Sequence, residues 1–379
     1  GEIQLAKTLN PIKVDENTDI KEARQYFLKM IKIYKEEKKK GKILMFDETS
    51  TLDEKNIVSF ASGSLGGKGR GLAFVSTLIN NLDYSKLSDK INIVSPITVI
   101  IGTDEFQTFI SKNKLLPIII DPAITHEELR EIFAQAPLTH SLEMNLKDFV
   151  AQIDKPFAVR SSSTSEDSLT QPFAGVFDTY IIPNSNQNKR IVFERISMAI
   201  KLVYASIYSD KARIYFKAIN HKIEEEKMAV ILQELVGSQH GNYYYPHISG
   251  VAQSYNYYPV GHMKPEEGFA VAAVGLGSYV VDGWKSYRFS PVYPKLSMFS
   301  IKDLLNSSQV KFYALDCSDN TIDFLKDGEL ASLKLLDISV AEKDGALTHC
   351  ASVYNYDNDR IEPGISGQGP RIINFANIL

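Results

Sequence analysis

"SFASGSLGGKGRGLAFVS", residues 59–76, decides how the rest of the chain is read. Five glycines fall between Gly63 and Gly71, Lys68 sits among them, and the apolar run Leu72–Val75 follows directly. Glycine lets backbone N–H groups come close to a ligand and adopt positive φ. A helix starting here would aim its N-terminus at the same point, and Lys68 would add a compact positive charge. These residue types point to an anion. Two standard phosphate-loop patterns nevertheless fail. In G-x-x-x-x-G-K-[ST] the first glycine would be Ser62, and Lys68 is followed by Gly69, which has no hydroxyl for a metal. In G-x-G-x-x-G, counted from Gly67 and Gly69, the third glycine would be Leu72. A glycine-rich turn with a surface lysine explains the stretch equally well by itself.

Two later stretches add to it. In "AVRSSSTSEDSLTQPFAGVFDTY", residues 158–180, an apolar strand expected over 156–160 ends in Arg160. A run of hydroxyls from Ser161 to Thr164 follows, then the carboxylates Glu166 and Asp167. The planar fork of an arginine suits phosphate oxygens. A flexible serine-rich loop accounts for the hydroxyls but not for an arginine fixed at a strand end. In "KMAVILQELVG", residues 227–237, an apolar strand ends in Gln233 and Glu234, with Val236 beyond. An apolar slot with polar groups along one edge is what a nucleobase needs.

Around these motifs the chain reads as α+β. Residues 18–40 show helical spacing in Ile20, Phe27, Ile31 and Tyr34, with a solvated lysine-rich end. "INIVSPITVIIG" (91–102) is β-branched and predicts a buried strand. Thr125 and Glu128 have the spacing of a capping box. Residues 188–220 predict a long helical region, and short strand-like runs separated by Gly, Pro and Asn follow. At least two subdomains around a cleft are expected: a helical lead or linker over 1–60, a first region over 61–225 and a strand-rich second region over 226–379.

Bulk properties exclude several classes. The net charge of −4 offers no global field for nucleic acid or an anionic membrane. Cys317 and Cys350 are the two cysteines and form no CxxC pair, which argues against a disulfide scaffold and fits a reducing, cytoplasmic setting. No apolar run reaches the roughly 18 residues of a membrane span. The chain begins at Gly1 and ends on the apolar run "RIINFANIL", as expected of a piece of a longer protein.

Taken together, the motifs resemble the N-terminal, PEP/pyruvate-binding domain of the pyruvate phosphate dikinase and phosphoenolpyruvate synthase family. That nucleotide-binding domain is ATP-grasp-like and is shared with rifampicin phosphotransferases and glucan/water dikinases. The resemblance rests on "GGKGRGL" (66–72), "VRSSSTSEDSLTQPFAGVFDTY" (159–180), "ILQELV" (231–236) and "GLGSYVVDG" (275–283), and covers residues 61–290. It implies ATP as ligand, with Gly66, Gly67 and Ser161 among the ATP-binding residues and Lys68 and Arg160 at the phosphates as the catalytic pair. It places Gly175 and Thr179 at the phosphate end of the pocket and Gln233 and Val236 at the adenine, with Glu234 also among the ATP-binding residues. It further implies Mg²⁺, phosphoryl transfer to a histidine on a separate domain, and pyruvate or another small molecule as final acceptor.

The chain also departs from the family pattern. Ser278 stands where a glutamate usually follows G-L-G. The late acidic pair that holds magnesium, with its following Gln and Arg, has no clear copy before Leu379, so the metal ligands are unassigned. The acidic stretch 313–329 is expected to lack an apolar strand setting. "GALTHCASV" (345–353) is similar to the run around a phosphorylated histidine, but His349 lacks the preceding glycine pair and reads as an ordinary strand histidine. The tyrosines of 243–259 read as a packed hairpin rather than a base-stacking surface, because no Lys or Arg lies among them. A non-catalytic sensor or interaction module on the same scaffold, and transfer to an antibiotic or a glucan, remain as alternatives.

Overall fold

The computed structural model describes residues 24, 25, 28, 41–46, 52–82, 84, 91–163, 166, 175–184, 188–259, 263–294, 299–318 and 321–379. Arg24, Gln25 and Leu28 are helical, and the other residues expected to form the helical lead lie outside the described set.

The first half is built on a six-stranded sheet. Its strands are β1 (Ile43–Met45), β2 (Ile57–Ala61), β3 (Thr98–Ile101), β4 (Phe157–Ser163), β5 (Thr179–Ile182) and β6 (Met228–Glu234), in the spatial order β1-β2-β3-β6-β4-β5. β1, β2 and β3 run parallel, and β6 and β4 pair antiparallel to their neighbours. The sheet therefore draws on residues 43–234 and crosses the boundaries expected at 60 and 225. β6 inserts between β3 and β4 because its "MAVIL" run is apolar on both faces and fits a central position.

Side-chain alternation sends the two faces of this sheet to different partners. Val58, Val99, Ile101, Val159, Val230 and Leu232 face a large core. Helices α1 (Gly66–Asn81), α2 (Thr103–Lys112), α3 (His126–Gln135), α4 (His140–Gln152), α5 (Lys189–Ser206) and α6 (Asp210–Ala218) belong to this half. All of them except α1 contribute to the large core, with Ile196, Ile200, Val203 and Tyr204 of α5 fully buried. The expected long helix over 188–220 is two helices, broken where Ser209 caps α6 by accepting from the Ala212 N–H. Thr125 and Glu128 form the expected capping box on α3. On the opposite face, α1 covers Ile57, Ile100, Ala229 and Ile231 with Leu65, Leu72 and Ala73.

The second half surrounds another core containing Tyr245, Val274, Leu276, Phe312, Leu315, Leu347 and Phe375. Three antiparallel sheets enclose it. Their strands are β7 (Ser238–His240), β8 (Tyr243–Tyr245), β9 (Ser249–Gln253), β10 (Phe269–Ala273), β11 (Tyr287–Phe289), β12 (Lys311–Asp316), β13 (Leu333–Asp337), β14 (Ala351–Asn355), β15 (Arg360–Pro363) and β16 (Arg371–Ile373). The orders are β13-β12-β8-β7, β11-β10-β9 and β15-β14-β16. This core reaches the first sheet at Ala158 and Ile181, on the face that carries α1.

Several expectations change. The strand predicted over 91–102 pairs only from Thr98 to Ile101, since Pro96 has no N–H for a ladder bond. The acidic stretch 313–329 starts inside a buried strand, β12, with Ala314 and Leu315 fully buried, contrary to the expected lack of an apolar setting. His349 is exposed in the turn before β14 and is not a strand residue. Of the tyrosine run, Tyr244 and Tyr245 are buried while Tyr257 and Tyr258 are exposed. Among the described residues no helix is long and apolar enough to cross a membrane.

The start of α1 is the tightest junction. Gly66 has φ +71°, and a Cβ there would lie 1.9 Å from the carbonyl oxygen of Ser162 in β4. Gly66→Ala therefore meets both a left-handed backbone and a backbone clash. We expect a loss of at least about 3 kcal/mol in urea unfolding, or failure to fold, by analogy with strained and overpacked sites. Gly71, with nothing within 4 Å of its would-be Cβ, is the control. Equal effects at the two positions would refute the junction.

Candidate functional site

Strand β4 is longer than the sequence suggests, and that reshapes the site. It runs to Ser163, so Arg160 lies mid-strand and not at a strand end. Ser161, Ser162 and Ser163 pair with Val230, Ala229 and Met228 of β6 and are fully buried. Buried hydroxyls need partners. Ser162 Oγ donates to the Leu65 carbonyl at 2.7 Å and accepts the Gly69 N–H at 3.0 Å. Ser162 is thus the point of β4 on which the glycine loop sits.

Register fixes which residues share the α1 face. Arg160 pairs with Ile231 and Thr179, and Gln233 pairs with Thr98 and Ala158. Ile231 is under α1, and Ala158 is under the second core. Between these two covers runs a half-buried strip holding Arg160, Thr179 and Gln233, with buried Thr98 at its edge. Arg160 Nη1 donates to Gln233 Oε1 at 2.8 Å, and Gln233 Nε2 donates to Thr98 Oγ1 at 3.2 Å. The Thr179 backbone N–H donates to the Glu329 carboxylate.

Lys68 projects from the first turn of α1. Its Nζ donates to Glu166 Oε1 at 2.7 Å and to Ser161 Oγ, beside Arg160, at 3.2 Å. Glu166 is 2% exposed. Its other oxygen accepts the Ser163 N–H at 2.9 Å, while its own N–H donates to Ser163 Oγ at 3.0 Å. This is the reciprocal geometry of a capping box, and Ser163-x-x-Glu166 has that motif's spacing. Sequence reading saw Glu166 only as one of two carboxylates after the serines, although the S-x-x-E pattern could have singled it out. Thr98 carried no local signal, since its role depends on β3 pairing with a strand more than a hundred residues away.

The implied phosphate and adenine residues separate into two groups. Arg160, Thr179 and Gln233 gather at the strip, Lys68 bonds Ser161, the neighbour of Arg160 on the opposite face of β4, and buried Gly66 and Gly67 open the helix. Glu234, next in the strand, points to the other face and pairs with Lys155 at 2.5 Å. Val236 is exposed past the strand end, and Gly175 is exposed with open space around it. Ser278 begins a one-turn helix, Ser278–Val281, after the G-L-G turn.

Residues 62–357 match the family described as "Pyruvate phosphate dikinase, AMP/ATP-binding domain". The chain belongs to this family. The match runs beyond the motif-bearing 61–290 and takes in β12, β13 and β14. Phosphoenolpyruvate synthase of Aquifex aeolicus (strain VF5) is 26% identical over 271 residues, covering 65% of this chain and 27% of that protein. The uncharacterized phosphotransferase YvkC of Bacillus subtilis (strain 168) is 35% identical over 126 residues, 33% of this chain and 13% of that protein. Rifampicin phosphotransferase of Bacillus cereus is 25% identical over 150 residues, 38% of this chain and 16% of that protein. The chain spans about a quarter or less of the length of each.

The Lys68–Glu166 pair makes a signed prediction. Burial acts most strongly on Glu166 and raises its carboxyl pKa, against the lowering by the Lys68 charge and by the bonds from Lys68, Ser163 and Ser161. The folded protein then holds this proton more tightly than the unfolded chain does. Stability must fall as pH rises from the ordinary value of 4.5 through the raised one. Glu166→Gln lacks that component, so the stability gap between variant and wild type moves in the variant's favour with rising pH. Urea unfolding across this range checks it. A gap moving the other way would mean that Lys68 outweighs burial.

Proposed function

We propose that the chain is the ATP-binding domain of a multidomain phosphotransferase, in which ATP lies along the strip between α1 and the second core. The observation that carries this reading is the Arg160–Gln233–Thr98 chain, half-buried at Arg160 and Gln233, beside the glycine helix. Arg160 offers a guanidinium to phosphate oxygens, Gln233 offers both a donor and an acceptor to a base edge, and Lys68 stands at the helix N-terminus next to Ser161. Phosphoryl transfer depends mainly on positioning and on neutralising charge, which these groups can supply. On this reading the phosphoryl group passes to a histidine on another domain and then to pyruvate or a different small acceptor. The naming of phosphoenolpyruvate synthase and rifampicin phosphotransferase among the relatives supports the reaction class.

Magnesium, which the resemblance implies, does not fit Glu166 or Glu234, which leaves Glu329, bonded by the Thr179 N–H, as the glutamate at the strip itself. Glu166 is held by Lys68 and Glu234 by Lys155, so neither carboxylate is open to a cation. No step here passes through the metal. The same two pairings favour a second reading, a nucleotide sensor that binds without transferring phosphate.

Thermal-shift titration with ATP, AMP and GTP tests binding. ATP should stabilise the protein, and Arg160→Ala should weaken its binding by about tenfold or more, the loss expected for one charged hydrogen-bond partner. Arg160→Lys should recover only part of this, since an ammonium keeps the charge but not the fork. A flat response to all three nucleotides would overturn both readings. Incubating the full-length protein with ATP labelled at both the β- and γ-phosphoryl groups separates them: acid-labile phosphohistidine marks the enzyme, and its absence with intact binding marks the sensor.

A further inference from the structure

Helix α1 is apolar on two sides. Its inward side holds Gly69, Leu72, Ala73 and Ser76 against the sheet. Phe74, Val75 and Leu78, with Leu82 just past its end, recur at the spacing that forms one outer band, and all four are exposed, Phe74 at 65%. Single exposed apolar residues are ordinary, but a row of them on one flank marks an interaction surface. Ile43 and Met45 of edge strand β1 extend it. Ile43 pairs with Ile57, which α1 covers, so both lie on the α1 face of the sheet, and both are exposed.

The chain itself enters at the rim of this band. Thr77 Oγ1 of α1 donates to the Gly41 carbonyl at 2.5 Å, and the Gly41 N–H donates to the Lys55 carbonyl at 2.8 Å. Gly41 has φ +70°, and a Cβ there would lie 2.8 Å from Thr77 Cα. Residue 41 is thus clipped against α1, and Phe74 and Leu78 flank Thr77 on the outer side of the helix. From Phe74 to Leu82 the band runs about 12 Å. Residues 35–40 can span about 20 Å when extended, so a segment ending at Tyr34 reaches all of it.

Residues 20–34 have the matching pattern. On a helix, Ile20, Ala23, Phe27, Met30, Ile31 and Tyr34 fall within an arc of about 100°. Arg24, Gln25 and Leu28, the described residues of this stretch, are helical and exposed, and all three fall outside that arc. Their exposure is what a helix lying apolar side down requires. Tethering favours this segment over a free partner, because a neighbour on a short linker stands at millimolar effective concentration.

We propose that residues 20–34 dock along α1 as an amphipathic helix, with the Phe27 and Ile31 side against Phe74, Val75, Leu78 and Leu82. The contact covers the outer side of the helix that carries the glycine loop, and it does not depend on nucleotide binding.

Hydrogen–deuterium exchange on the 379-residue chain tests it. Amides of residues 23–34 should be protected. Phe74→Gln with Leu78→Gln should speed their exchange by about tenfold or more, the scale of one large apolar side chain lost from a buried contact. Both positions are exposed and glutamine is a good helix former, so the amides of β4 and β6 should keep their wild-type rates. Phe27→Gln with Ile31→Gln should have the same effect, and the two pairs combined should cost no more than either alone, since both remove one contact. Three results would overturn the proposal. One is no protection of residues 23–34 in the wild type. Another is protection that the α1 pair leaves unchanged, which would seat the segment elsewhere. The third is protection that fades on dilution as sedimentation shows a dimer dissociating, which would give the band to a second copy of the chain.

Discussion

The molecule depends on one close approach, that of the Gly66 backbone to the Ser162 carbonyl. No side chain fits between them. Ser162 closes the contact by donating to the Leu65 carbonyl and accepting the Gly69 N–H, so both ends of the helix's first turn are tied to one residue of β4. A longer separation would lift α1 off the sheet and expose Ile57, Ile100 and Ile231. The glycines therefore do more than permit a loop. They set the height of the helix above the strand, and with it the position of Lys68 relative to Arg160.

The strip exists because two covers share one sheet face and each takes different residues of it. α1 takes Ile100, Ala229 and Ile231, and the second core takes Ala158 and Ile181. The residues left between must be tolerable half-buried, which excludes a plain apolar row and an isolated charge alike. Arg160 meets the condition by donating to Gln233, and Gln233 by donating to Thr98. Each polar group in this row is oriented by the next, across three strands. Side chains preset in this way lose less freedom when a ligand arrives, the usual advantage of a preorganised site.

Much of this was legible in the chain itself, and the misses have physical causes. The glycine run, Arg160, Gln233 and the Thr125 capping box stand out from local chemistry. The serines after Arg160 looked like a loop, because hydroxyl runs usually are one. Here each hydroxyl finds a partner, and a strand with satisfied polar groups buries as readily as an apolar one. Gln233 and Glu234 looked like a single polar pair, but adjacent strand residues face opposite ways, and Glu234 goes to Lys155. The place of β6 between β3 and β4, and with it the part played by Thr98, follows from pairings across more than a hundred residues that no local pattern encodes.

The path from the first half to the second gives the strip its position in the whole molecule. β6 ends at Glu234, and the Leu235 N–H still donates to the Pro156 carbonyl at the foot of β4. The Leu235 carbonyl then accepts from Tyr244, which belongs to the second core. Gly237 follows with φ +158° and the Tyr245 backbone against it, leaving no room for a side chain. Gln233 is thus four residues from the point where the chain passes into the other core. Any shift of one core against the other acts on this short segment, and so on the bond between Gln233 and Arg160. On the proposed reading, a nucleotide lying along the strip contacts the groups that join the two halves, so its binding and their relative position are coupled through the same few residues.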